Sequence, residues 1–359
     1  MHVMNPNEIQ FLRRESDFAV VACAIGRRLS CVGLALLAAT LVACQGPETI
    51  KSPDGSTEAP TPASVEALDE RLATANSART SGNYAEALEL FREILAENPT
   101  AAQAYLGIGE IQVAQGNYGE AEPAFAKAAR LEPRNFAAQY GHGRVLHELK
   151  RFLEAIRAYH RALSIQPDNF EANVNMAATY LEIDEAASAL LYAEKAVQVN
   201  PSDGSARVAL GTAYARLGRT RDAIEQFETA LELSDPTSEL LFGLIKAYGD
   251  ERRYEEAANT ATVLVRIAPS ADAYERLGWS LFRLGRYNES IVAYRDAVRI
   301  DETHWPSLNG IGVNALNAWL LSNRTDNAAS SEAREAFRRS LRVNGDQPKV
   351  VRLLTTYQL

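Results

Sequence analysis

Few side chains in this sequence have the types and spacing that bond-making chemistry needs. The three cysteines, Cys23, Cys31 and Cys44, all lie in the first 44 residues. The 315 residues that follow contain none, so a disulfide or thiolate metal site is excluded there. His142 and His147 are five apart, which puts them on different sides of a helix, and the other histidines stand alone. No glycine-rich phosphate loop, serine nucleophile elbow or metal motif occurs. The one cysteine in a chemically suggestive place is Cys44. It ends an uncharged apolar run over 29–43, which Arg27 and Arg28 precede directly. Such a run is short of the ~20 residues that cross a bilayer and suits the core of a secretory signal.

The basic pair, the apolar core and the end Leu41-Val42-Ala43-Cys44 together resemble the bacterial lipoprotein signal. The resemblance implies cleavage before Cys44, lipidation of its sulfur, and a mature chain that starts there. Gln45 follows, where an Asp would favour the inner membrane, so the pattern is similar to outer-membrane sorting on the periplasmic side. Two or more acyl chains anchor a protein stably, whereas one alone is marginal. Residues 45–65 are rich in Pro, Ser, Thr and Gly with no apolar period, which predicts a disordered tether. A tether of that length reaches roughly 25 Å.

The elements that would position any site lie beyond residue 67. The chain is 47% hydrophobic and 23% charged, with aromatics at only 8%, and it is dense in helix-forming Ala, Leu, Arg and Glu. The formal net charge is −9; four Arg and three acidic residues before Cys44 leave −10 on the remainder. An acidic array is a poor match for a nucleic-acid backbone and is compatible with a basic protein partner.

Self-similarity dominates this region. Ala87, Ala121, Ala155, Ala189, Ala223 and Ala257 recur every 34 residues. Pro99, Pro133, Pro167, Pro201, Pro236 and Pro269 keep almost the same step. Phe91, Phe125, Tyr159 and Phe227 follow the alanine by four, and Gly109, Gly143, Gly211, Gly278 and Gly312 recur earlier in each unit. This looks like the tetratricopeptide repeat, a 34-residue helix-turn-helix unit. The resemblance implies an all-α, right-handed superhelical solenoid. Small residues would lie where the paired helices approach, the ring would fill the gap between units, and Pro would end the second helix. Gly82, Gly116, Gly218 and Gly285 would take the left-handed conformation that closes the first helix.

The expected layout is a signal peptide over 1–43, lipidated Cys44 and a linker to 67, about eight repeats over 68–345, and a capping helix over 346–359. Repeats begin at 68, 102, 136, 170, 204, 238, 271 and 305. Repeat 4 carries Ala177 for the glycine and Ala193 for the ring; repeat 6 carries Ile245 and Ala261. Repeat 8 contains about nine extra residues within 320–332, expected as an exposed loop.

In such solenoids the first helices line a concave groove that is the usual binding surface. Their fifth position carries Leu72, Leu106, Tyr140, Val174, Val208 and Phe242, an apolar stripe over six units. It reads either as a channel for an apolar peptide or as residues half-buried against neighbouring helices. Polar groove positions include Gln103, Glu110, Arg144, His147, Asn175 and Thr212. Toward the C-terminal half they turn basic, through Arg216, Lys246, Arg276 and Arg283, with Trp279 among them. A Trp beside Arg residues has the composition of a binding hot spot, or else is partly packed on a solvated face. The lysine and asparagine set of a chaperone carboxylate clamp is not in register.

The repeats consume the length that a catalytic domain would need, so the expected function is a non-catalytic scaffold for protein partners, without cofactor or metal. The run from His304 to Val313 is similar to late repeats of Tad/Flp pilus lipoproteins, which points to assembly of pilus or secretion machinery. The alternative is an adaptor that docks envelope enzymes such as peptidoglycan hydrolases or proteases.

Overall fold

The computed structural model describes residues 62–359. The expected signal peptide, Cys44 and the expected tether up to residue 61 lie outside the described residues. Among the described residues every regular element is a helix. The first four repeats are the pairs α1 (Pro62–Thr80) and α2 (Tyr84–Glu97), α3 (Ala102–Ala114) and α4 (Tyr118–Leu131), α5 (Phe136–Glu148) and α6 (Phe152–Ile165), and α7 (Phe170–Glu182) and α8 (Ala186–Val199). The next three are α9 (Gly204–Arg216) and α10 (Thr220–Leu233), α11 (Ser238–Asp250) and α12 (Tyr254–Ile267), and α13 (Ala271–Arg283) and α14 (Tyr287–Ile300). The eighth is α15 (Trp305–Leu321) and α16 (Asn327–Val343), followed by α17 (Pro348–Thr356).

Helix α1 starts at Pro62, six residues before the expected boundary, so 62–67 are helical and belong to the first repeat's helix. Proline suits a first helical position because its missing N–H has no partner there anyway. Each first helix packs on its own second helix and on the first helix of the next unit. Successive second helices make no comparable contact, so the first helices line the inner, concave side.

Two chemistries start and stop these helices. The entries to α5, α7, α9, α11 and α13 are capped by Asn135, Asn169, Asp203, Thr237 and Ser270, whose side chains accept an amide three residues on. The first helices end differently, in a left-handed residue. Gly82 and Gly116 sit at φ 81° and 76°, and the N–H of Asn83 reaches back to the Ala78 carbonyl at 2.9 Å. Gly218 and Gly285 occupy the same place, as expected. Three repeats use Lys150, Asp184 and Arg252 there, at φ 58°, 61° and 62°.

The eighth repeat departs from expectation. Its extra residues give only a short exposed turn over 322–326 and otherwise lengthen both helices to 17 residues, against 13 and 14 in the seventh repeat. The reason is apolar and helical content at both edges of the insertion. Leu316 is buried, Trp319 and Leu320 pack around Phe337, and Ala329 and Ala333 continue the inner stripe of α16. Asn323 and Arg324 carry the reversal in two consecutive left-handed residues, and Arg324 lies over the Trp319 ring. Helix α17 closes this end as a cap: Val350 is buried against the last repeat while Val351 faces outward.

The ring of each second helix lies between two first helices. A Cβ at Gly109 would stand 2.8 Å from Phe125, and one at Gly141, in the next unit, 2.2 Å from the same ring. Gly211 and Gly243 flank Phe227 likewise, and Gly278 and Gly310 flank Tyr294. Where the ring is lost, its neighbours change too. Ala193 meets Ala177 and Ala209, beside Leu210, in an alanine-centred joint between repeats 4 and 5. In repeat 6 the buried Ile245 fills the volume that Ala261 gives up.

Candidate functional site

The apolar stripe follows the concave side. Leu106, Tyr140, Val174, Val208 and Phe242 are all half-buried, and Leu72 is fully buried. Leu106, Tyr140, Val208 and Phe242 pack against the core clusters beneath them. The stripe is therefore part core and part surface.

The structure joins some of the predicted residues and separates others. In the first half of the groove, the Asn175 amide donates to the Tyr140 hydroxyl at 2.8 Å, linking repeats 3 and 4. Tyr140 stacks on Phe136, and the Arg144 guanidinium stands 5.9 Å from its ring centroid. His147 shares a hydrogen bond with buried Thr179 at 2.9 Å. Glu110 pairs with Arg79 at 3.0 Å; burial raises its carboxyl above the ordinary value, and Arg79 opposes that shift.

In the second half, the expected basic stripe is internally engaged. Arg216 donates to the Leu181 carbonyl and pairs with Asp184 at 3.3 Å. Lys246 pairs with Asp250 at 3.6 Å and Arg276 with Glu275 at 3.4 Å. Arg283 donates to the Tyr254 hydroxyl and lies over the Tyr254 and Trp279 rings. Trp279 is half-buried, edge-on to Tyr254 at 5.8 Å, and packs near Tyr294. Partly exposed ion pairs add little stability, yet those of Arg216, Lys246 and Arg276 each place an anion beside a groove cation and weaken its outward field.

A cleft of about 610 Å³ lies in the groove across repeats 4 to 6. Val174, Ala178, Val208, Ala209 and Leu240 form its apolar floor, bordering the alanine-centred joint. Its rim carries Glu182, Asp203, Asp235 and Glu239, with Arg216 at one edge. Sequence reasoning missed Asp203 and Asp235, which come from the segments that enter α9 and α11, Glu239 in the first turn of α11, and Tyr254, which starts α12. Asp203 carried a readable sign, an acidic residue at a helix entry. Glu239 carried a similar sign, an acidic residue in a first turn, whereas Asp235 and Tyr254 become visible only once their segments are folded against the groove. Among the described residues no group of three or more His, Cys, Asp or Glu can hold a metal ion, and no helix is long and apolar enough to cross a membrane.

Tetratricopeptide-repeat models match residues 72–131, 109–170, 175–238 and 271–304, and the chain belongs to the tetratricopeptide-repeat family. Repeats 6 and 8, which depart most from the pattern, fall outside these matches yet fold as helix pairs in line with the rest. Among solved structures, the Cut9–Hcn1 hetero-tetramer of the APC/C is 16% identical, with TM-score 0.53 over 79% of this chain and 55% of that one. A tetratricopeptide repeat protein from Parabacteroides merdae is 16% identical, with TM-score 0.50 over 69% of this chain and 99% of that one. Pseudomonas aeruginosa pilF is 20% identical, with TM-score 0.49 over 57% of this chain and 93% of that one. At these identities the likeness is one of fold. A search of curated proteins found no match. As an array of these repeats the chain is a protein-interaction scaffold, and proteins of this kind are generally scaffolds and not catalysts.

Proposed function

We propose that the chain is a lipid-anchored scaffold of the bacterial envelope, held at the outer membrane through Cys44 and facing the periplasm. Its groove gathers the components of a larger assembly such as pilus or secretion machinery. The observation that carries the binding role is the half-buried stripe from Leu106 to Phe242, which gives one face an apolar floor across successive units. The anchor rests on Arg27-Arg28, the apolar run and Ala43-Cys44. The scaffold reading and the enzyme-docking alternative differ in what the groove would hold.

The test is affinity capture from crosslinked envelopes of the native host, read by mass spectrometry, beside a Cys44→Ser variant and metabolic labelling with a clickable fatty acid. The expected result is label on the wild type alone and pilus or secretion components that are lost with the anchor. Recovery of cell-wall hydrolases or proteases instead would replace the scaffold with the adaptor. An unlabelled wild type would remove the anchor.

A further inference from the structure

We propose that the cleft across repeats 4 to 6 takes a basic, amphipathic segment of a partner protein, with lysine or arginine side chains set beside apolar ones. The inference rests on the groove reading above and gives the partner its chemistry. The cleft offers two kinds of surface. Val174, Ala178, Val208 and Leu240 provide an apolar floor, which favours a segment with apolar side chains of its own. The rim provides four carboxylates, Glu182, Asp203, Asp235 and Glu239.

These carboxylates are not neutralised from within. Among the described residues no cation pairs with any of the four. The one guanidinium at the edge, that of Arg216, is held by the Leu181 carbonyl and by Asp184, which lies outside the lining. Asp203 spends one oxygen on the Ala206 amide as a helix cap, and Asp235 and Glu239 are exposed. A concave site with one sign of charge over an apolar floor focuses its field on an incoming ion of opposite sign. An acidic segment would meet three excess negative charges, so the cleft also discriminates. The basic positions further along do not reverse this, because none of them lines the cleft: Lys246 and Arg276 pair with Asp250 and Glu275, and Arg283 lies against the Tyr254 hydroxyl and ring.

The test uses the full-length protein in detergent and short fluorescent peptides alternating lysine with leucine, glutamate with leucine, or lysine with serine. Anisotropy should show binding of the lysine–leucine peptide alone, weakened as salt rises from ~50 to ~200 mM. Asp235→Lys with Glu239→Lys should reduce that affinity about tenfold while leaving the circular dichroism spectrum and Tm unchanged. The control reversal Glu148→Lys, outside the cleft, should change nothing. Equal binding of the glutamate peptide, or indifference to the double reversal, would overturn the proposal. Recovery of native partners by the same double variant separates the two claims. Undiminished recovery would leave the groove reading standing and remove the basic-segment assignment. If neither protein recovered a partner and no peptide bound, both would fall.

Discussion

Phe125 between Gly109 and Gly141 shows how much a single side chain decides here. Phe125, Phe227 and Tyr294 fit because two neighbouring helices have each given up a Cβ, so ring and glycines form one packing unit. The joint of Ala177, Ala193 and Ala209 is the same unit with its volume redistributed. Ala193→Phe should therefore destabilise the protein by about 1–3 kcal/mol through overpacking. Adding Ala177→Gly and Ala209→Gly should recover most of that loss in urea unfolding. Additive effects in the triple variant would show that the three positions do not share one space. The recurrent rings and glycines were plain in the sequence, and so were the alanines that replace them. Their mutual compensation was not, because it joins residues from three different helices. His142 makes a second residue-scale case. Burial lowers its pKa, with Glu122 at 3.4 Å opposing the shift, and its Nδ1 is buried without a partner among the described residues. The unfolded chain takes up the proton first as pH falls. The contribution of the neutral ring is thus full above the ordinary imidazole pKa and is lost as pH drops below it. His142→Gln should flatten the fall in Tm between about pH 7.5 and about 5.5; an unchanged slope would assign that fall to other groups.

At the scale of the element, the turn between paired helices demands one left-handed residue, and the sequence supplies glycine there in only four of seven regular units. Lys150 and Arg252 hold that conformation against the clash of their own Cβ. Lys150→Gly or Arg252→Gly should each raise stability by about 1 kcal/mol, visible as a higher Tm. Asp184 should gain less, because Asp tolerates this region better and its carboxylate also holds Arg216. Helix positions followed from the 34-residue period alone, and seven of the eight first helices start within a residue of the expected point. The insertion in the eighth repeat was misjudged because its Ser, Asn, Thr and Asp read as loop. The chain instead places only Ser322 to Asp326 in the turn and spends the flanking residues on longer helices with Trp319 packed between them.

Across the whole molecule, each unit touches only its neighbours, so stability is close to a sum of local terms. Phe337→Ala should cost about 3–5 kcal/mol in the last repeat. Amide exchange should then speed up in α15 to α17 while α1 to α6 keep their protection. A uniform loss along the array would show that it unfolds as one body. The charge of the groove is likewise a property of the assembled solenoid. Its cations were legible as a periodic set on the first helices. Some of the anions beside them, Asp250 and Glu275, stand on the same first helices, whereas Asp184 in a turn and Asp235 in a connection come from other parts of the repeat, where a reading by first-helix position does not look.

The alanine-centred joint has a mechanical meaning as well. A solenoid loaded from its ends behaves as springs in series, and its bending concentrates where successive units interlock least. Elsewhere a ring seated between glycines acts as a peg that resists sliding. Between repeats 4 and 5 no ring sits in such a socket; Ala177, Ala193 and Ala209 meet there beside Leu210, with Leu190, Tyr192 and Tyr214 packed around them. That joint borders the acidic cleft, so any change in how repeats 4 and 5 pack would reach the cleft's apolar floor through Ala209, which belongs to both.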